Sequence, residues 1–126
     1  MKKFLLLFFA VVSQLFFSQI EKHVKLNYDI KSIGENQYEA IITAKIDNGW
    51  HIYSKDLPED SGIPTEMKVS GDNVILVGKV IEVGKKHDEF SEAFGAQIVY
   101  YSDLVLFKQK FKLKDNTKPA TVSAEI

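Results

Sequence analysis

The chain has 126 residues, of which 45% are hydrophobic, 26% charged and 12% aromatic, as is typical of a soluble globular domain. One domain is expected, since a TIM barrel alone needs roughly 250 residues. All 16 basic residues are Lys and the formal net charge is −1, which disfavours nucleic-acid binding. The sequence has no Cys, so it supplies no disulfide, thiolate nucleophile or Cys-ligated metal centre.

The N-terminus has a positive start followed by an apolar run. Lysines at positions 2 and 3 precede the apolar residues 4–17, which is the arrangement of a secretory signal peptide. A membrane-spanning helix needs about 18 or more apolar residues, and this run is shorter. We predict that residues 1–19 are a signal peptide and that residues 20–126 form an exported domain, periplasmic or secreted, with no membrane span. An uncleaved anchor and a buried core strand are the alternatives.

Alternation of apolar and polar residues predicts strands in the first half of the exported chain. Val24 to Ile30 and Tyr38 to Ile46 both alternate, as half-buried strands do. The pair Asn48-Gly49 predicts a two-residue hairpin turn. Residues 50–53 would then be the returning strand, with Trp50 packed between two sheets. Residues 54–64 contain Pro and Gly and are predicted to form a long loop.

The second half is predicted to continue with short strands. Met67 and Val69 mark one, followed by a turn at 71–73. Residues 74–83 are apolar at both parities, which fits a strand covered on both faces. The polar residues 84–92 are predicted to form a loop.

Three further strands are predicted after that loop. The first two are 96–101 and 104–113, joined by a turn at Ser102 and Asp103, and the last begins near Val122. No segment keeps a helical period. About eight short strands in one small domain predict an all-β fold, an immunoglobulin-like antiparallel β-sandwich.

Few residues are arranged for catalysis or metal binding. The imidazoles are those of His23, His51 and His87, and no pair has the spacing of a metal site. Asp88, Glu89 and Glu92 could do acid–base work if their environments differed, yet no activated nucleophile accompanies them. We therefore predict no catalytic residue, no metal and no cofactor.

Aromatic residues offer a different kind of site. Tyr53 and Tyr101 are candidates for an exposed surface that stacks on sugars or binds a peptide. Filling of the core is the competing use of the same side chains.

Three stretches in sequence order carry a resemblance to a known family. They are Gly-Trp-His-Ile-Tyr-Ser at 49–54, Gly-Ile-Pro-Thr at 62–65, and residues 87–101, which begin His-Asp-Glu-Phe and end Tyr-Tyr. Together they resemble the N-terminal domain of the DsbD family, the periplasmic immunoglobulin-like redox domain of protein-disulfide reductases. The resemblance covers most of residues 22–126.

The resemblance implies a function in electron transfer. Such a domain receives electrons from a membrane-embedded reductase domain and passes them to periplasmic thiol–disulfide proteins by thiol–disulfide exchange. A cap loop shields its reactive cysteines. Asp88, Glu89 and Phe90 match the acidic pair and aromatic of that loop, and Phe94 and Gly95 match its closing step. Three residues are inserted between the two matches, so either Phe could act as the lid.

The sequence departs from the family in lacking sulfur for the reaction. The family's cysteine pair lies on and after the strand that would begin here at Thr121, and the 126 residues contain neither. We expect a fragment of a longer reductase, incomplete at its C-terminus and redox-inactive by itself. A Cys-free domain reused for binding is the other explanation. The alternative function is a secreted β-sandwich that binds carbohydrate or peptide, and a third possibility is a purely structural domain fused to other modules.

Overall fold

The structure is a computed structural model and describes residues 23–58 and 61–126, so the predicted signal peptide lies outside the described residues. Its seven strands are β1 (Val24–Gly34), β2 (Gln37–Ile46), β3 (Ile52–Tyr53), β4 (Lys68–Ser70), β5 (Val74–Ser91), β6 (Ala96–Leu113) and β7 (Ser123–Glu125). Every pairing is antiparallel. No helix capable of crossing a membrane occurs in this part of the chain. The all-β prediction is confirmed.

Strand β6 is the centre of a five-stranded sheet. Along one edge it pairs with β5, and along the other it pairs first with β3 and then with β2. Strand β1 lies outside β2. Strands β4 and β7 form a separate two-stranded sheet.

The core lies between these two sheets. Alternate residues of β6 point into it, including Val105 and Phe107, which are almost fully buried. Val69 of β4 and Val122 just before β7 belong to the same apolar cluster, so the small sheet covers one face of the large one. This two-layer arrangement is a β-sandwich.

The turn after β2 forms where it was predicted, but the hairpin does not. Gly49 has a φ of 89°, and the Trp50 amide donates to the Asp47 carbonyl over 3.0 Å. The returning strand β3 pairs with β6, because β1 and β6 already occupy both edges of β2. The prediction for Trp50 is also wrong. Its side chain is 50% exposed rather than packed between sheets.

Strands β5 and β6 form one long hairpin instead of the predicted shorter pieces. Each has 18 residues, and the predicted loop at 84–92 is mostly the second half of β5. The predicted turn at Ser102 and Asp103 is a bulge, in which residues 102–104 lie opposite Lys85 alone. Asp103 takes up the irregularity with a φ of 70°. A continuous ladder with local bulges satisfies backbone groups that a loop would leave to water.

A second bulge lies near the start of the hairpin. Residues 78–80 of β5 lie opposite Gln109 alone. The Gln109 side chain is buried, and its amide nitrogen donates to the carbonyl oxygens of Val77 at 3.3 Å and Gly78 at 3.1 Å. The buried amide therefore satisfies carbonyls that the disrupted ladder releases.

Candidate functional site

The far end of the β5–β6 hairpin, residues 87–97, holds the residues predicted to form a cap loop; we call it the hairpin end. Its turn consists of residues 92–95, and the Gly95 amide donates to the Ser91 carbonyl over 2.8 Å. Gly95 has a φ of 66°, the left-handed conformation that favours glycine. Phe90 and Phe94 are 61% and 55% exposed. Two large apolar side chains therefore face solvent beside the turn.

Each carboxylate of the acidic pair accepts a hydrogen bond from the facing strand. The Gln97 amide donates to Asp88 over 2.6 Å, and the Tyr100 hydroxyl donates to Glu89 over 2.7 Å. The hydrogen bond to Glu89 is the largest cause of a raised pKa at the Tyr100 phenol. Tyr100 thus keeps its proton and holds Glu89 in place. Asp88 and Glu89 are consecutive in β5 and lie on opposite faces, with Asp88 on the face of Phe90.

A small apolar cluster anchors the hairpin end to the rest of the sheet. Leu57 packs with Ile98 and Val99, and Tyr53 and Tyr100 lie against them. The Ser61 hydroxyl also donates to the carbonyl of Gln97. The long loop after β3 therefore contacts β6 at residues 97–99, where the hairpin end joins the rest of the sheet, and holds it in place there.

A row of aromatic rings crosses the sheet next to residues 97–99. Tyr100 stacks on His87 with ring centroids 4.9 Å apart, and His51 approaches it from the other side at 4.6 Å. The His87 Nε2 and Ser102 Oγ atoms are 3.1 Å apart. The described residues contain no group of three or more His, Cys, Asp or Glu side chains arranged to hold a metal ion.

The structure corrects the proposed aromatic surface of Tyr53 and Tyr101. Tyr101 is only 2% exposed because it points into the core, so it cannot stack on a ligand. Its hydroxyl donates to Glu82 over 3.1 Å. Burial raises the pKa of the Tyr101 phenol to about 12, and the nearby Glu82 charge acts in the same direction.

Sequence reasoning missed the role of Glu82. Its carboxylate accepts hydrogen bonds from the Ser54 hydroxyl at 2.7 Å and the Lys55 amide at 2.6 Å, as well as from Tyr101. A lone carboxylate within the apolar run 80–83 was the available signal, since such a charge inside a strand needs partners. This network ties β5 to the chain after β3 and has a structural role.

Tyr53 lies in a cleft of about 610 Å³ at the edge of the sandwich. We call this the aromatic cleft; its rings are those of His23, Trp50, His51 and Tyr53, and Glu66, Lys68 and Glu125 supply charges. His23 stacks on Trp50 with centroids 3.6 Å apart and an interplanar angle of 10°. The half-exposed indole is the residue that sequence reasoning had assigned to the core.

The structure therefore brings together Asp88, Glu89, Phe90, Phe94 and Gly95 at the hairpin end, and it separates Tyr53 from Tyr101. Neither the hairpin end nor the aromatic cleft contains an activated nucleophile. Both are surfaces suited to contact. No family model, curated protein or solved structure matches the chain.

Proposed function

We propose that this chain is the scaffold of an exported redox-partner domain of the disulfide-reductase type, whose hairpin end meets periplasmic thiol–disulfide proteins. The observation that carries the proposal is the exposure of Phe90 and Phe94, 61% and 55%, next to the carboxylates of Asp88, on the same face as Phe90, and Glu89, on the opposite face. Exposed aromatics on a projecting turn are typical of protein contact sites. The resemblance over residues 87–101 supplies the chemical class.

The hairpin end has the properties that a protective cap requires. An aromatic side chain over a thiol excludes solvent and other disulfides, and nearby carboxylates disfavour the thiolate. Because the 126 residues include no Cys, thiol–disulfide exchange needs a thiol pair that they do not supply. In this proposal the electron donor is a membrane-embedded reductase domain.

The test is a thiol count on the exported protein. We would capture it from cells with an antibody raised against residues 22–114, measure its intact mass, and label it with a maleimide. The proposal predicts a species that carries thiols and reduces a small-molecule disulfide. A thiol-free protein with the mass of the exported residues would overturn it.

Variants of the hairpin end add a second readout. Phe90→Ala and Phe94→Ala remove the two candidate lids, and the effective one is expected to speed alkylation of the thiols several-fold because it uncovers them. Ile33→Ala is the matched control, since Ile33 is an exposed apolar residue at the end of β1. Equal alkylation rates in all three variants would contradict a cap function.

The aromatic cleft favours a second candidate function, the binding of carbohydrate or peptide. Its half-exposed Trp50, already stacked on His23, offers a flat apolar surface, and stacking on such rings is a common mode of sugar and peptide recognition. A glycan and peptide array would test it. Trp50→Ala should abolish any binding, whereas Phe94→Ala should leave it unchanged; the opposite pattern would reject the cleft.

A further inference from the structure

Strand β5 has an open edge on the side away from β6. Among the described residues β6 is the only strand that pairs with β5. After the bulge at 78–80, β5 has no further bulge between Ile81 and Ser91, since the extra residues at 102–104 belong to β6. An edge of this length presents a row of backbone donors and acceptors that another strand can pair with.

Apolar side chains near this edge are exposed on both faces of the sheet. Leu76 lies opposite the buried Phe111 on the core face, yet it is 48% exposed. The other face carries a stripe of β5 residues that are 38% to 50% exposed: Ile75, Val77, Ile81 and Val83. The sequence pattern had predicted that this segment is covered on both faces, and this is wrong for the described residues.

Positive charge surrounds the same edge. Lys79, Lys85 and Lys86 of β5 are exposed, and Lys110 and Lys112 of β6 are exposed on the face of the apolar stripe. Glu82 is the one carboxylate in residues 74–86, and its oxygens already accept bonds from Ser54 and Lys55. Up to Lys86 the field along this edge therefore favours a negatively charged partner, whereas Asp88 and Glu89 carry negative charge beyond it.

We propose that the open edge of β5 binds an extended segment of a partner protein that combines apolar residues with neighbouring Asp or Glu residues. The added strand would pair along Ile81–Lys86. Main-chain hydrogen bonds would hold it, its apolar side chains would pack on Ile81 and Val83 of the stripe, and its carboxylates would lie opposite Lys85 on the same face and Lys86 on the other face.

The geometry favours an added strand over other occupants. A strand beside β5 pairs with the open backbone groups of Ile81–Lys86, whereas a helix or a membrane on the outer face would leave those groups unpaired. A second copy would bring the three edge lysines of each β5 together, and like charges across strands are destabilising. An acidic extended segment meets both requirements.

The test uses the full chain and capped peptides of about eight residues, a typical strand length. One peptide, the Glu peptide, has a pair of Glu residues followed by alternating Thr and Val; a second, the Lys peptide, has a pair of Lys residues instead; and a third is the Glu peptide methylated at every backbone nitrogen. We expect the Glu peptide to bind at least about tenfold more tightly than the Lys peptide at low salt, and less tightly as salt rises. Methylation should abolish binding because it removes the main-chain donors.

Charge variants test the location. The double variant Lys85→Glu with Lys86→Glu should weaken binding of the Glu peptide about tenfold, while Lys25→Glu on β1 should have no effect. All three lysines are exposed, so the fold tolerates the changes, and circular dichroism would verify this. Hydrogen exchange should slow at backbone amides of β5 when the peptide is bound.

Several results would overturn the proposal. They are an absence of peptide binding, equal binding of the Glu and Lys peptides, and protection confined to strands other than β5. Dimerisation of the chain through β5 without peptide binding would assign the edge to a second copy instead. None of these readouts depends on thiols, so the outcome is independent of the redox proposal.

Discussion

At the scale of single residues, Glu82 connects three parts of the chain. It accepts hydrogen bonds from the Ser54 hydroxyl, the Lys55 amide and the Tyr101 hydroxyl. Hydrogen bonds to a charged acceptor contribute about 1.5–3 kcal/mol each when they are well formed. The residue therefore stabilises the attachment of the loop after β3, which in turn supports the hairpin end.

The Tyr101 phenol gives a prediction for alkaline pH. Its pKa is raised from 10.0 to about 12 in the folded protein, so above pH 10.0 the unfolded chain loses this proton first. The stabilising contribution is complete below pH 10.0 and is lost as the pH rises towards about 12. We expect the unfolding free energy of the parent to fall by about 2 kcal/mol more than that of Tyr101→Phe over this window.

Urea unfolding at a series of pH values would measure the difference. At neutral pH, Tyr101→Phe should cost about 1 kcal/mol, because it removes one hydrogen bond while Glu82 keeps two other donors. Parallel pH curves for the two proteins would show that the phenol does not titrate differently on folding.

At the scale of elements, the close approach of β7 to the turn after β4 depends on one glycine. Gly71 has a φ of 149°, and a Cβ placed there would lie 1.8 Å from the Thr121 carbonyl oxygen. A Cβ has a position fixed by the backbone, and the Thr121 oxygen belongs to the backbone next to the small sheet, so neither atom can rotate away. By contrast, a Cβ at Gly78 would meet nothing within 4 Å.

We expect Gly71→Ala to lower the unfolding free energy by about 3 kcal/mol or more, since it combines a backbone clash with a disfavoured φ. Gly78→Ala is the matched control and should cost only about 1–2 kcal/mol for its positive φ. Urea midpoints at equal m-values would measure both. Equal losses would mean that the small sheet moves to accommodate the methyl group.

At the scale of the whole molecule, the two sheets are unequal in size. The small sheet of β4 and β7 covers the core face formed by β1, β2 and β6, while much of β5 stays exposed on both faces. The main stabilising burial is therefore concentrated around β6, and the β5 side contributes little beyond its ladder.

Two Phe→Ala variants would test this difference between the core and the β5 side of the sheet. Phe107→Ala, at a position only 1% exposed, should cost about 3–5 kcal/mol because it leaves a cavity between the sheets. Phe94→Ala, 55% exposed at the hairpin end, should change stability by no more than about 0.5 kcal/mol. Denaturant unfolding would compare them, and similar losses would contradict the assignment of the core.

Much of the fold could be predicted from local patterns. Alternation placed β1, β2 and the start of β7, and Asn48-Gly49 marked a real turn, because each signal depends only on neighbouring residues. The residues predicted for the cap loop also meet at one hairpin end, since they are close in sequence.

Features that depend on distant partners could not be predicted. Strand β3 joins β6 because both edges of β2 are taken, and no local pattern near residue 50 records that. Tyr101 is buried because it lies on the core face of β6, and Trp50 is exposed where it stacks on His23; neither environment is recorded in the neighbouring sequence. Polar residues 84–92 were assigned to a loop because alternation weakens where a hairpin is exposed on both faces.

The topology also sets the order in which the chain can assemble. The β5–β6 hairpin closes over the four residues 92–95, whereas β4 and β7 must meet across roughly fifty intervening residues. Short closures form within microseconds and long ones await a compact chain. We expect pulse-labelling hydrogen exchange to protect β5 and β6 first and the small sheet last, so that the longest ladder forms well before the core is closed.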